Sequence, residues 1–259
     1  MEKIKFSIIT IVYNGEEYIE NTLKSVINQT YKNFEFIVID GSSKDNTTDI
    51  IKKYLGSITT FISENDSGIY DAMNKGLKYT NGNYVVFMNG GDCFANSNIL
   101  NIIYKCLLQE EVLPDFIYGD TIVAIPTNIQ FYKKARSHRY NWYGMFANHQ
   151  AMFYKMSVIN ENKITYDTFY NIAADYKFTL EFLKKSQNRL YVPESICIFS
   201  MDGISNTNKE LGLKEAERAR KEILKYSNFR NMVIRQIIYL SRFLSDKISP
   251  IYNMLRYSK

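Results

Sequence analysis

Three aspartates and a strand end mark the stretch Ser63–Asp92, SENDSGIYDAMNKGLKYTNGNYVVFMNGGD. Asp66 and Asp71 stand at the start of an amphipathic segment, and the apolar run Tyr84–Met88 leads straight into Asn89-Gly90-Gly91-Asp92. A carboxylate released from a buried strand onto a glycine-loosened turn lies where open α/β sheets place their ligands. There it can hold a divalent cation against phosphate oxygens. Asn, Gly and Asp also fill ordinary turns for conformational reasons, so the segment by itself supports both readings. Asp40 poses the same choice. Placed before Gly41-Ser42-Ser43, it can cap a turn or accept hydrogen bonds from a nucleoside. Asp71 and Asn74 share a polar helix face with Lys78, opposite Ile69, Met73 and Leu77, which are expected inside. On spacing alone a solvated face explains that pattern better than a ligand does, and Asp66 can simply open the turn before the helix. Asp175 follows Ile172-Ala173-Ala174 at the start of another helix. The helix dipole favours an acid there, while apolar neighbours would raise its proton affinity and suit it to general-base work. His138 and His149 are the two histidines, and His149-Gln150 adjoins a dense aromatic stretch.

The elements that must position these groups follow from periodicity. Apolar runs at Phe6–Tyr13, Phe34–Ile39, Ile58–Ile62 and Tyr84–Met88 read as buried strands. Between them, Glu16–Asn28, Asp45–Tyr54 and Ile69–Tyr79 carry apolar residues at helical spacing. Strand–helix alternation of this kind predicts a parallel sheet with helices on both faces. The polar groups at the strand exits, Asn14, Asp40 and Asn89/Asp92, then share one edge of the sheet. Beyond Asn96 the pattern blurs. Ser97–Gln109 and Ala174–Lys185 read as helices, with Tyr176, Leu180 and Leu183 of the second facing inward. Phe116–Gly119 and Ile122–Ile125 read as short strands flanking Asp120, and Leu190–Val192 and Ile196–Phe199 as two more. Phe131–Ala151 is aromatic and basic without a clear period. Asn208–Tyr226 reads as a charged helix, and Phe229–Leu244 as a basic amphipathic one with Phe229, Val233, Ile237, Leu240 and Leu244 on one stripe beside Arg230, Arg235 and Arg242.

A chain of 259 residues, 46% hydrophobic and 23% charged, is globular in composition and long enough for a substantial core. Its net charge of +5 is uneven: Ser205–Lys259 holds twelve Lys/Arg against five Asp/Glu, a net +7, which leaves −2 for Met1–Ile204. A basic tail suits an anionic surface such as a membrane, and no recognition motif for nucleic acid accompanies it. Cys93, Cys106 and Cys197 are odd in number, lack metal-ligand spacing and read as free thiols of a reducing compartment. The opening MEKIKFSIITIVYN reads as a first buried strand rather than a targeting segment, and no run reaches the ~18 apolar residues of a membrane span. There is neither a G-x-G-x-x-G nor a G-x-x-x-x-G-K-[ST] motif, which argues against a dinucleotide fold and a P-loop.

Taken together, FSIITIVYN (6–14), DGSSKDNT (40–47), SENDSGIYDAMNKG (63–76), YVVFMNGGD (84–92) and NIAADYK (171–177) resemble, in order and spacing, the inverting glycosyltransferases of family 2. The likeness extends over residues 5–205 and is nearest to the bacterial branch that builds capsular, exopolysaccharide and lipopolysaccharide sugars, the colanic acid type included. The resemblance implies a GT-A fold, with a nucleotide-sugar-binding half at about 1–95, an acceptor-binding half at 96–205 and a helical basic extension at 206–259. It implies a nucleotide-diphosphate sugar as donor and a saccharide or lipid-linked saccharide as acceptor. Tyr13, Asn14, Asp40, Asp66, Asp71 and Asn74 would meet the donor nucleotide, Asp92 would hold Mg2+ or Mn2+ on its diphosphate, and Asp175 would be the catalytic base. His149 and Gln150 match a pair placed near the donor phosphates or acceptor. Asn89 and Gly91 depart from positions that are often acidic in the family, leaving one strong carboxylate for the metal. A sugar nucleotidyltransferase and a catalytically degenerate nucleotide-binding partner are the rival readings. The expected location is the cytoplasm. The basic stripe of 229–244 is a separate signal with two readings: a helix packed on the catalytic domain, or a peripheral contact with the inner face of the membrane.

Overall fold

The structure, a computed structural model, describes residues 3–124, 130–200 and 208–247. In chain order its first half is β1 (Phe6–Val12), α1 (Ile19–Ile27), β2 (Phe34–Asp40), α2 (Thr47–Lys52), β3 (Thr60–Ser63), α3 (Ile69–Leu77) and β4 (Tyr84–Phe87). The four strands pair in parallel in the order β3-β2-β1-β4. Every residue of β1 is buried, as a strand covered on both faces requires. Side chains alternate between two cores with the period of a strand. Phe6, Ile8, Phe36, Val38, Tyr84 and Val86 meet Ile19, Leu23 and Val26 of α1 on one face. Ile9, Ile11, Ile37, Ile39, Val85 and Phe87 meet Tyr70, Ala72 and Met73 of α3 on the other.

The expected alternation is therefore present, with one correction inside it. Ile69, expected to face the core, is 40% exposed and Tyr70 is buried in its place. Ile69 is the first residue of α3, where the chain has only begun to turn onto the sheet. Gly76 lets α3 lie close against β1, since a Cβ there would come 2.5 Å from Ile9 Cγ2.

The second half comprises β5 (Cys93–Phe94), α4 (Ile99–Leu107), β6 (Phe116–Ala124), β7 (Gln130–Lys133), β8 (Met152–Lys155), α5 (Met156–Asn162), α6 (Ala174–Lys185) and β9 (Arg189–Ser200). It extends the sheet to β3-β2-β1-β4-β8-β6-β9-β5, with β7 on β6. β8 is antiparallel to both neighbours, while β6 and β9 run parallel. The pairs of short strands expected around Asp120 and around Pro193 are each one continuous strand; Ile125, at the end of one expected strand, lies outside the described residues. Their register shifts at Asp120, where Gly119 faces Val192 but Asp120 faces Ser195. That bulge carries Pro193, which has no N–H for a regular ladder, out of the pairing. Strand β8 and helix α5 had no counterpart in the sequence reading.

Two helices follow, α7 (Lys209–Leu224) and α8 (Asn228–Lys247). α7 lies on α6, where Glu222 bonds Lys177 at 2.8 Å. α8 turns back onto α7: the buried Arg220 donates to Asn231 Oδ1 at 2.8 Å, and Ile234 and Ile238 face inward. No helix among the described residues is long and apolar enough to cross a membrane. Cys93, Cys106 and Cys197 are all free.

Candidate active site at the carboxyl edge of the sheet

The parallel register sets Val12 beside Asp40 and Asp40 beside Ser63. Three strand exits therefore meet at one edge. Asp40 is fully buried and accepts from Ser43 Oγ at 2.5 Å, from Ser43 N at 3.1 Å and from Ser63 Oγ at 2.6 Å. Asn14, at φ +47°, donates its N–H to Ser43 Oγ and accepts the Lys44 N–H on its own Oδ1, both at 2.8 Å. Asp66 closes on the same point, since a Cβ at Gly41 would lie 2.5 Å from Asp66 Oδ2. Tyr13 also borders Gly41 and is 58% exposed, so its ring offers an open apolar face beside the carboxylates. Asp66 also accepts the Gly68 N–H and Asp71 the Ser67 N–H, each at 3.0 Å, so both shape the turn that starts α3. Asn74 is turned away from this edge. Both ends of its amide pair with the backbone of Tyr166, at 2.8 Å each.

Met88–Asp92 is braced from below. Thr10 Oγ1 donates to the Met88 carbonyl at 2.6 Å. Thr22 Oγ1, from α1, donates to the Asp92 carbonyl at 2.8 Å and accepts the Gly91 N–H at 3.0 Å. Gly91 stands at φ +97°, a conformation that side chains other than glycine's rarely take. The backbone thus gives a reason for glycine at a position where the resemblance leads one to expect an acid. Asp92 is buried and accepts from Gln150 Nε2 at 2.5 Å.

Gln150 belongs to a short 3-10 turn, His149–Ala151, that joins Asp92 to the third part of the site. His149 Nε2 lies 3.0 Å from Asn89 Nδ2, and its Nδ1 lies 3.7 Å from Asp175 Oδ2. With the Asn89 amide donating to Nε2, the ring proton sits on Nδ1, facing Asp175. Burial pushes the imidazole down to about 4, so the ring is neutral. Burial pushes the Asp175 carboxyl the other way, up to about 6, with the Glu215 charge adding to the rise and the Tyr176 N–H opposing it. A carboxylate so held is ionised at neutral pH yet has an appreciable affinity for a proton, the state a general base needs.

Asn89 Oδ1 and Gln150 Oε1 are buried acceptors with no partner. Both residues are bonded to the site's own acid and histidine. Buried amide oxygens left without a partner on residues bonded to His149 and Asp92 are donors of the kind a hard divalent cation takes.

Sequence reading missed Glu215. It reaches from α7 to the loop before α6, and its carboxylate is buried. The signal was present, because Glu215 falls on the Leu211–Ala219–Ile223 stripe of α7, where a charge is out of place. Thr22, Ser43 and Ser63 carried no such signal. Their roles come from contacts with residues 23 to 70 positions away, Thr22 with Asp92, Ser43 with Asn14 and Ser63 with Asp40.

With this geometry in view, comparison with known proteins gives a class. The profile described as Glycosyl transferase family 2 matches residues 7–163. The chain belongs to glycosyltransferase family 2, an inverting family whose donors are nucleotide sugars. It is 28% identical over 188 residues to a PGL/p-HBAD biosynthesis glycosyltransferase of Mycobacterium bovis, covering 68% of each chain. It is 33% identical over 196 residues to the poly(ribitol-phosphate) beta-N-acetylglucosaminyltransferase TarP of Staphylococcus aureus, covering 71% of this chain and 59% of that one. In fold it resembles residues 1–349 of S. aureus TarS in complex with UDP-GlcNAc, with a TM-score of 0.72 at 19% identity over 93% of this chain and 73% of that one. It also resembles the mannosyltransferase PcManGT of Pyrobaculum calidifontis in complex with GDP-Man and Mn2+, with a TM-score of 0.65 at 14% identity over 87% and 66%.

The environment of Asp175 carries a cost in stability. A carboxyl whose proton affinity is raised on folding stabilises the protein at acid pH and loses that contribution as pH rises through about 6. At neutral pH the cost is on the order of 3 kcal/mol. Asp175→Asn removes the charge, so thermal denaturation at pH 8 is expected to show a melting temperature higher by on the order of 5 °C. The gain should shrink as the pH approaches 4; an unchanged or lower melting temperature at pH 8 would contradict the desolvated carboxylate.

Proposed function

We propose that this chain transfers a sugar from a nucleotide-diphosphate donor to a hydroxyl of a saccharide or lipid-linked saccharide of the bacterial surface, with Asp175 as the base. The observation that carries this reading is the continuity of the site. One turn, His149–Gln150, touches Asp92 with one residue and Asp175 with the other. The acid that would meet the donor diphosphate and the acid that would deprotonate the acceptor are thus held in one unit. In this reading the nucleoside lies along Tyr13, Asn14, Asp40, Asp66 and Asp71, with Asn74 supporting the wall rather than touching the donor.

The chain's own residues supply the following steps. Asp175 Oδ takes the proton from the acceptor hydroxyl as its oxygen attacks the anomeric carbon from the face opposite the diphosphate. Neutral His149 faces Asp175 with its Nδ1 at 3.7 Å and adds no positive charge that would weaken it as a base. Asp92, Asn89 Oδ1 and Gln150 Oε1 would hold Mg2+ or Mn2+. When bound, the ion supplies charge to the leaving diphosphate. A relative named for transfer to poly(ribitol-phosphate) supports a polymer acceptor, and this reading places the chain on the cytoplasmic side of the membrane.

The tail supports the same placement. α8 packs through Asn231, Ile234 and Ile238 and leaves Phe229, Val233, Ile237 and Leu240 between 39% and 72% exposed. The stripe anticipated from sequence is therefore the outward one, with Arg230 and Arg235 beside it; the side chains of Arg242 and Leu244 lie outside the described residues. An apolar stripe flanked by arginines fits the interface of an anionic bilayer.

Asp175→Asn should lose transfer while binding its nucleotide normally by calorimetry, and wild-type activity should fall below about pH 6, where the base is protonated. Near-normal turnover in that variant sinks the assignment, and nucleotide binding without turnover in the wild type would favour a degenerate binding partner. A panel of nucleotide sugars screened by thermal stabilisation with Mn2+ identifies the donor. Val233→Glu with Leu240→Glu should weaken sedimentation with phosphatidylglycerol vesicles about tenfold or more, each change removing on the order of 1–2 kcal/mol of apolar transfer. Unchanged sedimentation removes the helix from the membrane account.

A further inference from the structure

The Glu215 carboxylate performs no step above, yet both its oxygens are engaged by the backbone just before Asp175. Oε1 accepts the Asn171 N–H at 2.8 Å, and Oε2 accepts the N–H groups of Ile172 and Ala173 at 2.9 Å each. These are three consecutive amides on the approach to α6, and Asp175 is the second residue of that helix. Such amides have no carbonyl partner within their own helix, so a buried carboxylate from another helix holds the whole approach in one conformation. One turn earlier on α7, a Cβ at Gly212 would come 3.3 Å from Ile172 Cγ2, so the helix backbone lies against the same loop. From the other side, Tyr70 Oη donates to the Ile172 carbonyl at 2.6 Å. The loop is clamped between α3 and α7.

Resting on the reading of Asp175 as base, we infer that Glu215 is a positioning residue for the transfer reaction: it fixes the backbone that aims Asp175 and places a second negative charge behind it. The groups facing Asp175 from the surrounding elements are His149 on the 3-10 turn, Tyr70 on α3, Tyr154 on β8, Tyr166 on the segment before α6, and Glu215 on α7. Of these, Glu215 is the anion. The inference gives the carboxyl-terminal helices a part in catalysis without contact to substrate: α7 carries the brace, and α8 seats α7 through Arg220 and Asn231.

The test uses the full chain with whichever of UDP-N-acetylglucosamine and GDP-mannose raises its melting temperature in Mn2+, in Glu215→Gln and Glu215→Asp. Glutamine keeps the shape, removes the charge and turns an NH2 group toward a backbone N–H. Its donor KM should stay within about twofold while kcat falls about tenfold to a hundredfold, the range expected when a reacting group is misaimed by a fraction of an ångström. The acid limb of the pH profile should move to lower pH, because a lost neighbouring anion lowers the proton affinity of Asp175. Aspartate keeps the charge but falls short of the loop, so kcat should fall with the acid limb in place. The Asp175 carboxyl carbon, assigned by its absence in Asp175→Asn and titrated by NMR, should follow the acid limb in Glu215→Gln. A carbon titration that moves while kcat does not supports the coupling and faults the base assignment, which turnover in Asp175→Asn reports separately. A lower melting temperature with kcat, acid limb and carbon titration all unmoved makes Glu215 a structural cap and overturns the inference, as does failure of both variants to fold.

Discussion

The in-register parallel pairing of β1 with β2, and of β2 with β3, is the constraint on which the site depends. Because Val12, Asp40 and Ser63 lie side by side, residues about 25 positions apart in sequence reach the same edge together. A one-residue slip would send each strand's side chains to the opposite face. It would turn Ile9, Ile11, Ile37 and Ile39 out of the α3 core as well as moving Asp40 out of the reach of Ser63. The two fully covered faces of the sheet enforce the register, so the hydrophobic cores and the placement of the carboxylates have a single cause.

Asp175, the proposed base, sits under a second constraint that works against stability. Asp175 is kept in a poorly hydrated place, faced by a neutral histidine instead of a cation and backed by another carboxylate. What the fold yields there it offsets nearby: Lys177, two residues further along α6, bridges Asp167 at 2.7 Å and Glu222 at 2.8 Å, and the Glu215 bonds close the loop. Strain of this kind at a functional site, with support concentrated around it, follows the usual trade between stability and activity.

The parallel half was legible because its signals are local. Period-two alternation and helical spacing within β1 to β4 need no knowledge of partners, and strand exits follow directly. The second half was less legible because its signals are relational. Pro193 breaks the sequence pattern of a strand, and only the bulge opposite Gly119 lets β9 continue past it. Phe131–Ala151 has no period because its residues serve several neighbours in turn: Lys133 bonds Asn148, Tyr176 Oη bonds the Asn141 carbonyl, and Tyr132 bonds the buried Asp120. The aspartates of the site show the same limit. Asp66 and Asp71 have the composition of turn residues and do shape their own turn, and nothing local distinguishes that work from lining a pocket. Membership of glycosyltransferase family 2 gives the class that spacing could not, and the positive φ at Gly91 accounts for its being a glycine.

The central claim is that the carboxyl edge of β1 to β4 holds the donor, with the diphosphate at Asp92 and the transferred sugar between it and Asp175. A crystal structure of the chain grown with UDP and Mn2+ tests it most directly, through the anomalous signal of the metal. The account predicts manganese on the Asp92 carboxylate at about 2.2 Å, a metal–oxygen distance expected for such ligands, and the nucleoside along Tyr13, Asp40 and Asp66. Manganese away from Asp92, or a nucleotide bound on any other face of the sheet, would contradict it.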